Sequence, residues 1–174
     1  YDMTGFESMR AVFRVANALA DKGFTEFTFL RGPGLADLTA RGTGQRWFIE
    51  VKTLVLQTKP QEFDVDGKKE TLTVDKFQPK SCNIAEYKES VFRLIAGNHI
   101  QEARQQLLRT VEELGAGKKM AAIVVNLFAA DFFLNAENLC QVKARLQGKA
   151  AGGEKDYLSD LDALAFLTNQ LYLF

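Results

Sequence analysis

A chain of 174 residues with 47% hydrophobic side chains is of one-domain size and carries enough apolar material for a full core, which excludes an intrinsically disordered chain. The 22 basic and 22 acidic residues cancel, so bulk charge does not make it a nucleic-acid binder, and only a local basic patch would serve that purpose. Cys82 and Cys140 match neither a zinc spacing nor a disulfide framework, and neither a signal-peptide pattern nor a membrane-length apolar run is visible, so a reducing cytoplasmic setting away from membranes is expected.

In chain order, MTGFESMRAVFRVANALADKGF (3–24) predicts an amphipathic helix. Thr4 is its cap and Glu7 the capping-box partner, while Phe6, Met9, Val12, Phe13, Ala16 and Leu19 form the apolar face and Gly23 the stop. TEFTFLR (25–31) alternates like a strand, and GPG (32–34) is a turn. LADLTA (35–40) and QRWFIEVKTL (45–54) are strand candidates, joined by RGTG as a hairpin. EFDVDGKKETLTV (62–74) predicts a second hairpin around Asp66-Gly67. After a polar connection, residues 84–97 predict a helix ending at Gly97. Residues 99–117 predict a stronger helix with Ile100, Ala103, Leu107, Val111 and Leu114 on one stripe. KKMAAIVVNLFAA (118–130) lacks alternation and reads as a strand buried on both faces. A helix follows from Asn135 to Gly148, then a loop, and the tail from Leu161 is expected to be helical. The whole is an α/β plan with a mixed sheet in a single domain.

The chemistry concentrates in WFIEVKTL (47–54). Strand side chains alternate, so Glu50 and Lys52 share a face while Trp47, Ile49 and Val51 point to the other. A tight hairpin would lay Asp37 beside Glu50 with Lys52 next to both. Two adjacent carboxylates among apolar residues are costly unless something neutralises them. A divalent cation with oxygen ligands does so, and Mg²⁺ needs only two carboxylates, a backbone carbonyl and waters. Such an ion neutralises phosphoryl charge and acidifies water, and a lysine beside it stabilises developing negative charge. The pattern therefore points to metal-assisted phosphodiester hydrolysis.

Ala36-Asp37, twelve intervening residues and then Glu50-Val51-Lys52 resemble the PD-(D/E)XK nuclease signature. GFESMRAVFRVANALADKGF, FLRGPG, LADLTA and FIEVKT together are similar to the archaeal Holliday-junction resolvase branch of that superfamily, over roughly residues 4–54 and more loosely 99–127. The resemblance implies a restriction endonuclease-like αβββαβ core (4–54 and 99–130) with a mixed central sheet flanked by helices, an insertion at 55–98, and C-terminal helices at 135–174. It implies Asp37 and Glu50 as metal ligands with the Val51 carbonyl, Lys52 as the catalytic lysine, Mg²⁺ or Mn²⁺ as cofactor, and DNA as partner. A homodimer, or membership of a larger restriction or repair protein, also fits the family; a chain that opens YDMTGF and ends LYLF is compatible with the latter. Ala36 stands where the pattern usually has proline.

Glu7 either completes the metal's water shell, as its place on the resolvase helix implies, or simply caps its helix. Gln101 and Gln105, one turn apart, are the candidates for the glutamine that in related exonucleases steadies the site or meets phosphate; a solvated helix shoulder is the plain alternative. Arg31, Arg41, Arg46 and Lys59 place positive charge near the proposed site, and Lys143, Arg145 and Lys149 form a second basic group. These either track a phosphate backbone or line a solvated surface. A second triplet, Glu86-Tyr87-Lys88 after Asp75, sits in polar sequence and lacks the strand context. His99, the sole histidine, has no nucleophile motif near it and is assigned no catalytic part. GAGKK (115–119) runs from helix to strand, the reverse of a phosphate loop, and reads as a helix end. The rival reading is a catalytically silent nuclease-fold module that binds DNA or a protein partner.

Overall fold

The computed structural model describes residues 3–54, 61–65, 68–72, 92, 94–125, 142–148, 156–167 and 171–173. Helix α1 (Met3–Ala20) leads into β1 (Thr25–Phe29), β2 (Leu38–Gly42) and β3 (Gln45–Leu54). A separate hairpin, β4 (Gln61–Val65) and β5 (Lys68–Leu72), precedes a π-helical stretch (Leu94–Ile100) that runs directly into α2 (Gln101–Leu114). Strands β6 (Lys118–Val125), β7 (Ala163–Leu167) and β8 (Leu171–Leu173) follow. The main sheet has six strands in the order β1-β2-β3-β6-β7-β8. Pairing is antiparallel at β1-β2, β2-β3 and β7-β8 and parallel at β3-β6 and β6-β7, so the sheet is mixed.

Helices cover both faces. On one, Ala11, Val15, Ala16 and Leu19 of α1 pack on Leu38, Ala40, Ile49, Val51, Met120, Ala122 and Val124. On the other, Ile95, Ala96, Ile100 and Ala103 pack on Leu54, Ala121, Ile123, Leu164 and Phe166, and Leu107 packs on Phe48 and Ala36. Strand β6 is buried on both faces, as its unbroken apolar run predicts. Among the described residues no helix is long and apolar enough to cross a membrane.

The β2-β3 hairpin sets the register that matters. Gly42 pairs with Gln45, leaving Thr43-Gly44 as a two-residue turn with φ of 51° and 75°. Two successive positive φ values match the twist of a tight hairpin. Gly42 is also fixed by space, because a Cβ there would lie 2.5 Å from the Phe24 ring. The last pair of the ladder is Leu38 with Ile49, so Asp37 enters β2 alongside Glu50.

Several expectations are corrected. The tail after Leu161 forms strands β7 and β8, not helix. Its Ala and Leu residues favour a helix locally, but the segment fills the open edge of β6, sending Ala165 and Leu167 to the α1 side and Leu164 and Phe166 to the α2 side. Gly97 does not end a helix: burial of Ile95, Ala96 and Ile100 carries the π-helical backbone past it, outweighing a glycine cost of about 1 kcal/mol. Thr4 lies inside α1, which begins at Met3, so it is not the cap. The buried arc of α1 is Ala11, Val15, Ala16 and Leu19, so Ala16 and Leu19 are buried as expected while Met9 and Phe13 are exposed, the latter with its ring 4.9 Å from that of Phe29. Small residues let the helix approach the sheet closely, which a ranking by size of apolar residue misses. On α2 the buried arc is Ala103, Leu107 and Thr110, while Leu114 is exposed. The β4-β5 hairpin forms where expected, with its turn residues 66–67 outside the described residues. The proposed helix cap Asn135 is also outside them, whereas residues 142–146 are helical and Gly148 closes them with φ of 64°.

Candidate functional site

Glu50 and Lys52 lie on the β3 face that meets α2, together with Phe48 and Leu54. Asp37 reaches the same place from the start of β2. Its Oδ2 accepts a 2.8 Å hydrogen bond from the Val51 amide, which no longer has a β2 partner. A residue's N–H and C=O point to the same side of a strand, so the Val51 carbonyl opens on this same edge. The Glu50 carboxylate is buried, and Lys52 Nζ sits 3.0 Å from its Oε1. The other oxygen, Oε2, is buried with no hydrogen-bond partner among the described residues.

Two further groups converge on Lys52. Its ammonium donates to Gln106 Oε1 at 2.6 Å and lies 3.4 Å from Glu102 Oε2. Glu102 is half exposed, so that pair adds little, whereas the Glu50 and Gln106 contacts hold the ammonium against the sheet. Glu102, Gln106 and Thr110 follow at four-residue spacing and so share one face of α2.

The electrostatics follow from burial. Desolvation pushes the Glu50 carboxyl up to about 8, the neighbouring Asp37 adds to the rise, and Lys52 opposes it. Burial also raises Asp37, against the Val51 amide and Lys52, which favour its charge. The two acids thus compete for one proton in a place that disfavours a second negative charge. His99, in the π-helical stretch, is pushed down to about 4, first by burial and then by Lys52, against the pull of Glu102. It stands within the electrostatic reach of the cluster as a neutral ring. NMR titration of this sole imidazole is therefore expected to show no protonation between pH 8 and 6 and a midpoint near 4. A midpoint at 6.5 would place His99 in solvent instead.

The remaining nominated residues divide. Gln105 is exposed and Gln101 half-buried at the first position of α2, so Gln106 is the glutamine that meets Lys52. A sequence signal existed: Gln106 lies four residues before Thr110 and beside Leu107, at the edge of the arc that α2 buries. Arg31 is exposed in the loop before Asp37. Arg41 pairs with Glu26, and Arg46 lies 4.6 Å over the Phe48 ring and donates to the Leu114 carbonyl. Arg104 pairs with Asp160, and Arg109 pairs with Glu113. Arg145 lies 3.7 Å over the Phe92 ring. Glu7 is placed on α1, with its side chain outside the described residues, as are Lys59, Lys149, Asp75 and the Glu86-Tyr87-Lys88 triplet. A cleft of about 350 Å³ between residues 143–147 and 156–164 includes none of the cluster residues.

Asp37 and Glu50 are the side chains that would hold a divalent cation here. The unpartnered Glu50 Oε2 and the repulsion between Asp37 and Glu50 are both relieved by positive charge. Among the described residues no three His, Cys, Asp or Glu side chains gather into a metal-binding group, so the protein's share would be Asp37, Glu50 and the Val51 carbonyl, with waters supplying the rest. Comparison of the chain with protein-family models, curated proteins and solved structures finds no match.

Proposed function

We propose that this chain is a divalent-cation-dependent nuclease of restriction endonuclease-like fold that hydrolyses DNA phosphodiester bonds. The observation that carries the reading is the meeting of Asp37 and Lys52 around the buried Glu50, with one Glu50 carboxylate oxygen unpartnered among the described residues. The order helix, three antiparallel strands, helix, parallel strand is compatible with the αβββαβ core.

Asp37, Glu50 and the Val51 carbonyl would hold Mg²⁺ or Mn²⁺. When bound, the ion would neutralise charge on a phosphoryl oxygen and make a bound water more acidic. Lys52 presents its ammonium at the same point and stabilises the negative charge that builds on the phosphoryl group. Gln106 and Glu50 keep that ammonium from swinging into solvent, so its orientation is set before substrate arrives. Water adds to phosphorus, the P–O3′ bond breaks, and the products are a 5′-phosphate and a 3′-hydroxyl.

The test is cleavage of single-stranded and duplex DNA with Mg²⁺ or Mn²⁺ against EDTA, for the wild type and Asp37→Ala, alongside calorimetric titration with Mn²⁺. Cation-dependent cleavage that Asp37→Ala abolishes supports the reading. Cleavage that survives in Asp37→Ala removes it, and absence of both Mn²⁺ uptake and cleavage favours the silent binding module.

A further inference from the structure

Thr110 is a polar side chain with no solvent exposure, and its hydroxyl makes two contacts. Its Oγ1 accepts a 2.7 Å hydrogen bond from the backbone N–H of Ala36, the residue before Asp37. The same hydroxyl donates to the Gln106 carbonyl at 2.7 Å, one turn back along α2. Gln106 is the residue whose side chain receives Lys52. One buried hydroxyl thus joins the segment that delivers Asp37 to the helical turn that holds Lys52.

We infer that Thr110 is a positioning residue that registers Asp37 against Lys52 across two different elements. The segment from Leu30 to Asp37 needs such a tie. It is a connection rather than a strand, and it contains the Gly32-Pro33-Gly34 turn, whose Gly34 has φ of 78°. Other restraints on the Asp37 end are the Leu30 amide on the Asp37 carbonyl at 2.9 Å and the Val51 amide on the Asp37 carboxylate. The first fixes Asp37 to β1, and the second needs the carboxylate already in place. The Thr110 bond ties the segment to α2, the helix that carries the partners of Lys52. It also uses an N–H that proline at position 36 would lack, so the Ala36 amide and the Thr110 hydroxyl work as a matched pair.

The inference rests on the site reading above, but part of its test does not need activity. Thr110→Val keeps the side-chain shape and removes the hydroxyl; Thr110→Ser keeps the hydroxyl. Hydrogen exchange is followed at the Ala36 and Val51 amides. In Thr110→Val both amides are expected to lose protection by about ten-fold, the effect of one hydrogen bond, with amides of β6 unchanged. In Thr110→Ser both keep wild-type protection. Where the wild type cleaves DNA, Thr110→Val lowers kcat by about ten-fold or more with KM within about two-fold, and Thr110→Ser recovers the rate. Loss of protection confined to Ala36, with Val51 as in the wild type, overturns the inference, as does equal loss in the serine and valine variants. Exchange that responds as expected in a protein that takes up no Mn²⁺ leaves the tether standing and sinks only the nuclease reading.

Discussion

Lys52→Ala is expected to lower the rate of cation-dependent DNA cleavage by about 10²–10³-fold while leaving the chain folded, the scale seen when one preorganised stabilising group is removed. The ammonium is held at 3.0 Å from Glu50 and 2.6 Å from Gln106, and only a minor part of its side chain meets solvent. A charge fixed this way needs no reorganisation as negative charge builds on the substrate, which is why its loss falls on kcat rather than KM. Stability changes less than burial of an ion pair suggests. Glu50 already holds its proton up to about 8, so without Lys52 it stays neutral rather than standing as an orphaned anion. Lys52→Arg keeps the charge but presents a planar fork in place of a point donor, so it recovers only part of the rate. Steady-state cleavage kinetics of the two variants decide the matter: a rate in Lys52→Ala within a few-fold of wild type takes the lysine out of the chemistry.

Glu50→Gln is expected to stabilise the cation-free protein at pH 8 by on the order of 1–3 kcal/mol while abolishing both cation uptake and cleavage. The folded chain keeps the Glu50 proton up to about 8, whereas the unfolded chain releases it at its ordinary value of 4.5. The native state therefore binds more protons across that window, and its stability falls as pH rises from 4.5 to 8. Glutamine does not titrate, so the variant shows a flatter profile and gains most at the alkaline end. A divalent cation reverses the sign for the wild type, because it binds the deprotonated form and competes with the proton; uptake strengthens as pH rises through 8. Thermal unfolding at pH 5, 7 and 8.5, with EDTA and with Mn²⁺, reads both effects. Stability of wild type and variant that falls in parallel with pH would show that Glu50 is not the group responsible. Under the proposed function, the buried acid in β3 would give up stability in the cation-free fold in exchange for binding charge.

The core of the arrangement is visible in the chain itself. Period-two alternation in residues 47–54 puts Glu50 and Lys52 on one face, and the RGTG turn brings Asp37 opposite Glu50, as the Leu38–Ile49 pairing shows. The unbroken apolar run at 118–125 predicts its place in mid-sheet. What escaped detection has one character. That Gln106 rather than Gln101 or Gln105 receives Lys52 depends on the helix's phase, which must be known to better than one residue to choose among neighbouring glutamines. Thr110 was not singled out, since a threonine in a helix announces no partner 74 positions away. The protonation state of His99 is set by its burial and by Lys52 and Glu102, which no local pattern displays.

By itself the sequence determined most of the local order of helices and strands among the described residues up to 125, and the gathering of three charged residues at one hairpin, because alternation and turn chemistry act between near neighbours. Only the tertiary structure decided that the tail is strand rather than helix, which glutamine holds Lys52, and how far the Glu50 proton is retained. Those outcomes depend on which surface each segment is buried against. That is a property of distant parts of the chain meeting, and local pattern does not carry it.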